Sequence, residues 1–306
     1  MPAVFAALIP VFLLIALGWG LKRAGGPGDG FWAAAERLTY YLFFPALLLG
    51  SLTESEPVGL DLAPLAAALI VPVLAVGMLV IALSRALGRD GPVLTSVFQG
   101  AVRFNTYIGI AAAEALYGAV GIALAAVCIA VLVPTVNLLS IAVLARYGAR
   151  GGRAPGFVAQ MGLIARNPLI LACVAGAALN LLDLHLPFGV APTIEVLGRA
   201  ALPLGLLAVG AGLDLRALRA TRWTVAAGTA LKLLVLPLLA YAACVALDVP
   251  GPARAVAVLW AALPTAPSAY ILARQLGGDA TLMASLLTAS TLGAFLTMPL
   301  MLGLLG

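Results

Sequence analysis

Apolar runs of about twenty residues follow one another along the chain, each cut by a short polar or glycine- and proline-rich break. That length is what a helix needs to cross a bilayer. Ten runs are read, near 4–22, 31–53, 62–87, 94–117, 119–145, 167–184, 192–213, 222–247, 254–276 and 280–304, with the thinnest break at Gly118. They predict an all-α integral membrane protein of ten transmembrane helices. Lys22 and Arg23 follow the first run, the reverse of a cleavable leader, so that run is expected to stay in the mature protein.

Laid against itself at an offset of about 158 residues, the chain brings Pro10 onto Pro168, Gly18 onto Gly176 and Pro45 onto Pro203, and Gly118 onto Gly277 with one residue of slippage. The reading is a duplication: a first repeat over 1–146, a short cytoplasmic linker over 147–166, and a second repeat over 167–306. Five helices is an odd number, so the second copy enters the membrane inverted. Inverted repeats place a transporter's substrate site near the midplane, where broken helices meet.

Composition agrees with the runs, at 63% hydrophobic residues and 9% charged. The net charge of +5 does not point to nucleic acid, because the basic residues lie between apolar runs, where they report orientation. With the N-terminus outside, the cytoplasmic side receives Lys22, Arg23, Arg37, Arg85, Arg89, Arg146, Arg150, Arg153, Arg166, Arg216, Arg219, Arg222 and Arg274. The other side keeps Arg199 and Arg254 beside the acidic cluster Glu54, Glu56 and Asp61. Both termini are therefore expected outside. Cys128, Cys173 and Cys244 fall within apolar runs at no metal spacing and read as packing residues. The single histidine, His185, sits in a loop, no P-loop is present, and "GAGLDL" is an incomplete and misplaced dinucleotide fingerprint. No enzyme, resident metal or cofactor is expected.

The chemistry concentrates in "RFNTYIG" of the fourth run. Arg103 lies about nine residues into its helix, roughly 13 Å deep at 1.5 Å per residue, and is expected to face protein or a watery cavity. Two readings stand: a counter-charge for an anion, or a structural partner for a buried carbonyl or for Glu114. Asn105 and Thr106 compete for backbone hydrogen bonds, Tyr107 adjoins them, and Gly109 permits a break or kink. The repeat equivalent is "WAALPTAPSAY", where Pro264 and Pro267 lack the amide protons that a continuous helix requires. Thr265 and Ser268 can satisfy freed backbone or substrate. Glu114 reads as interfacial or as a group for coupling or ion pairing, Pro45 and Pro203 as helix kinks, Lys232 as a snorkelling side chain, and Trp32, Tyr40 and Tyr41 as an interfacial belt.

The blocks "LTYYLFFPALLLGSL", "RFNTYIGIAAAEALYG", "RNPLILACVAG", "ALPLGLLAVGAGL" and "AALPTAPSAYILARQLGG" together resemble the auxin efflux carrier family in its bacterial branch. The resemblance implies a ten-helix inverted repeat similar to bile-acid sodium symporters and sodium/proton antiporters. Helices one, two, six and seven would be the scaffold and homodimer contact, with crossed fourth and ninth helices in a mobile unit. It implies a carrier of small organic anions such as malonate or malate in a bacterial inner membrane, facilitative or coupled to H+ or Na+. A sodium-coupled symporter and a non-transporting sensor are the alternatives. Asn105, Thr106 and Pro264 match the family's crossover motifs. Phe104 replaces a proline there, so a gentler break is expected, Thr265 stands where plant carriers often have glutamine, and the long plant loop is missing.

Overall fold

The computed structural model describes residues 2–54, 62–87, 90–148, 161–162, 165–184, 186–219 and 222–305. Glu56, Asp61, Arg89, Arg150, Arg153, His185 and most of the linker lie outside the described residues. Within those residues all regular structure is helical. The helices are α1 (Pro2–Arg23), α2 (Asp29–Leu38) and α3 (Phe44–Thr53) joined by a π-turn (Thr39–Phe43), α4 (Leu62–Ala82), short α5 (Ser84–Leu87), α6 (Gly91–Val102) and α7 (Thr106–Tyr147). There follow α8 (Pro168–Leu181), α9 (Val190–Arg199), α10 (Ala201–Ala211), α11 (Arg222–Ala230) and α12 (Leu236–Ala246) joined by a second π-turn (Leu231–Val235), α13 (Gly251–Ala262), α14 (Ser268–Leu276) and α15 (Ala280–Leu305).

Six helical stretches have the length and apolar composition to cross a membrane: Pro2–Arg23, Leu62–Ala82, Gly91–Tyr147, Val190–Ala211, Trp223–Ala246 and Ala280–Leu305. Their exposed faces carry large apolar side chains such as Leu13, Met78 and Leu296, which suit lipid contact. This is a multi-pass membrane architecture. Ten were expected from the sequence, and the difference lies partly in merged, short and interrupted segments. Gly91–Tyr147 takes in 57 residues across a break and a kink. The helix α8 has only 14 residues, and α13 and α14 are halves of one interrupted run.

Close helix approach depends on glycine. A methyl group at Gly18 of α1 would overlap the Leu207 backbone of α10, and one at Gly210 would overlap the Ile15 carbonyl of α1. With no hydrophobic drive between helices in lipid, this van der Waals contact is what binds them.

Two helices break inside the packed core. After Val102 the chain turns extended at Arg103 (φ −80°, ψ 151°), and α7 begins only after Asn105, whose Oδ1 accepts the N–H groups of Tyr107 and Ile108. The break is complete although Phe104 is no proline, because the Asn105 cap and a bond from across the core stand in for one. Residue Gly109, expected as the breaking point, is instead a buried helical residue of α7. Added bulk there would meet Leu263 and Trp260, so its smallness serves packing. The second break runs from Leu263 to Pro267, between α13 and α14. The backbone N–H of Asn105 donates to Pro264 O at 2.8 Å, joining the two broken segments directly.

Candidate functional site

The joined breaks form one wall of a cavity of about 510 Å³, within the range of small-ligand pockets. Of the residues singled out in the sequence, Arg103, Asn105, Thr106, Tyr107, Pro267 and Ser268 line it. Pro264 and Thr265 stand behind the wall. The Thr265 hydroxyl donates to Gly100 O at 2.8 Å and its N–H donates to Ser290 Oγ at 3.1 Å, so both groups tie the break to α6 and α15.

Arg103 is 7% exposed. Its Nη1 donates to Asn137 Oδ1 at 2.9 Å and to Ser140 Oγ at 3.5 Å, and its Nη2 donates to Ser268 Oγ at 3.0 Å. All three acceptors are neutral. Among the described residues the one ion pair is Arg199 with Glu195, so Arg103 has no carboxylate within reach. The Glu114 pairing is thereby excluded: Glu114 borders a different cavity, with Glu54, Glu195 and Arg199. The Nε of Arg103 and the Nδ2 of Asn105 are buried without a hydrogen-bond partner among the described residues. A buried cation with neutral neighbours and spare donors is costly unless an anion completes it.

Other expectations are corrected by position. Lys232 does not snorkel. It is fully buried in the second π-turn, where Nζ donates to Ala261 O at 3.2 Å. Ala261 lies at the C-terminal end of α13, where a helix dipole favours a cation. Tyr40 and Tyr41, expected in an interfacial belt, line the Arg103 cavity. Pro45 is the second residue of α3, one place after the first π-turn, and Pro203 comes three residues after Ala200, which separates α9 from α10. The residues missed were Asn137 and Ser140, polar positions three apart on the apolar helix α7, together with Glu36 and Asn167 of the cavity lining.

Comparison with known proteins gives the wider setting. Residues 158–302 match the family described as membrane transport protein. An uncharacterized transporter of Methanothermobacter thermautotrophicus is 26% identical over 303 residues, covering 96% of this chain and 95% of that protein. A Rhizobium meliloti protein provisionally named a malonate transporter is 32% identical over 136 residues, 42% of each chain. These matches bear out the resemblance to auxin efflux carriers and indicate a transporter, not an enzyme.

Proposed function

We propose that this chain is a carrier of the auxin efflux carrier family and moves small organic anions across a bacterial inner membrane by alternating access. The observation that carries the reading is Arg103: buried, bonded only to neutral groups, and facing a cavity large enough for a small carboxylate. Asn105 and Ser268 line the same wall. Malonate, malate and related mono- and dicarboxylates fit this chemistry, and the name of the Rhizobium relative points the same way.

The proposed architecture is ten spans in two inverted repeats, with α6–α7 and α13–α14 as crossed broken helices. Its support lies in paired details. Gly118 and Gly277, matched in the sequence offset, both take positive φ, 57° and 83°. Gly18 packs α1 against α10, and its counterpart Gly176 packs α8 against α3 through Leu49 and Leu52. On this reading α1, α2–α3, α8 and α9–α10 are the scaffold and the surface of a homodimer. The broken helices then belong to the moving unit, coupled to H+ or Na+ or moving down the substrate gradient alone.

Charge movement by the purified chain in liposomes on a solid-supported membrane tests the function. Malonate, malate, succinate, lactate and indole-3-acetate are each added with and without sodium and pH gradients. The expected result is a carboxylate-dependent current that disappears in Arg103→Ala. An equal current in that variant would remove Arg103 from the site.

A further inference from the structure

The Arg103 cavity and the Glu114 cavity are lined by different parts of the same two elements. Along the stretch 29–54, Arg37, Tyr40 and Tyr41 line the first cavity, while Ala46, Gly50 and Glu54 line the second. Arg37 and Glu54 are roughly 25 Å apart along this helical run at about 1.5 Å per residue. Along α7 the same change occurs between Tyr107, which faces the first cavity, and Glu114, which faces the second.

At that handover sits one contact. Phe44 lines neither cavity, is 0% exposed, and stacks on Tyr107 with ring centroids 4.8 Å apart and planes 12° from parallel. Tyr107 also borders an adjoining space of about 320 Å³ that shares Glu36, Pro267 and Ile271 with the first cavity, so Tyr107 is common to both spaces. The π-turn Thr39–Phe43 immediately precedes Phe44. A π-turn holds a local irregularity in the helix that a small rotation can shift.

From this geometry we infer that the Phe44–Tyr107 stack is the gate between the anion cavity and the Glu54–Glu114–Glu195 cavity, which is the second mouth of the substrate path. The inference rests on the transport reading for its purpose, though not for its geometry. One ring belongs to α3 and the other to the broken helix α7, so motion of α7 against α3 must part them. The structure is then the state open on the Arg37 side and closed on the Glu54 side. The aromatic pair contributes to that closure beyond its buried area.

Thiol accessibility tests the gate without requiring turnover. The full chain carries Cys128, Cys173 and Cys244 as alanine and a reporter thiol from Ser268→Cys in the anion cavity, and is reconstituted in vesicles of both orientations. A membrane-impermeant thiol reagent should label the reporter readily from the Arg37 side and slowly from the Glu54 side. Phe44→Ala should raise the Glu54-side rate about tenfold, the equilibrium equivalent of losing one aromatic pair, while Phe44→Trp leaves it low. Should Phe44→Ala fail to fold, Tyr107→Leu reads the same contact from α7. Equal labelling from both sides in the parent, or an unchanged Glu54-side rate in the folded variants, overturns the gate. Absence of carboxylate current alongside one-sided labelling that Phe44→Ala relieves would sink the transport reading and leave the gate standing.

Discussion

At the scale of the residue, Arg103 and Asn105 divide two tasks that their neighbours cannot share. Arg103 holds three neutral acceptors with a planar fork, a geometry that a lysine ammonium does not reproduce. Arg103→Lys should therefore keep the charge but weaken carboxylate binding by about tenfold, read as a shift in the concentration dependence of thermal stabilisation. Asn105 caps α7 through its Oδ1 and lies in the cavity wall with its Nδ2 buried. Asn105→Ala should cost about 1 kcal/mol of stability through the lost cap. Asn105→Asp should keep the cap and its melting temperature while abolishing anion uptake, because it sets a negative charge where the substrate's must go. Equal uptake in wild type and Asn105→Asp would show that the substrate does not approach this wall. Arg103 was legible in the sequence because a charge deep in an apolar run is conspicuous. Asn137 and Ser140 were not, since only the folded chain brings that part of α7 beside the break.

Among the elements, the second break was the easier to read, because Pro264 and Pro267 remove donors wherever the chain goes. The first lacks such a residue, so the reading set only a gentler break at Phe104 to Thr106 and allowed a break or kink at Gly109. What fixes it is non-local: the Asn105 N–H finds Pro264 O, and that bond replaces the one a continuous helix would supply. Gly109 instead admits Trp260 and Leu263 against α7. Gly109→Val is expected to destabilise the protein by about 1–3 kcal/mol through overpacking, visible as a lowered melting temperature in detergent. A simple helix-breaking glycine would give the opposite sign, since Val costs less than Gly inside a helix.

Over the whole molecule, apolar run length set out the helices well but not their packing, because an apolar face in lipid can pair with any other. The α1–α10 contact depends on Gly18 and Gly210. Gly18→Leu should separate these helices and give a protein that loses its compact peak in size-exclusion chromatography, whereas Leu13→Ala on the exposed face of α1 should not. The proposed ten spans, with the basic loops on the cytoplasmic side, put a reporter fused at Gly306 outside, as one at the N-terminus; a cytoplasmic signal at one end alone would break the count. The bond from Asn105 N–H to Pro264 O carries a consequence for how such a carrier can change its cargo. It joins main-chain atoms, so every side chain except a proline at position 105 leaves it intact. The frame of the pocket and the chemistry of its lining are thus separable: Arg103, Asn137 and Ser268 can be exchanged for groups that suit another solute while the two broken helices remain tied together as one piece.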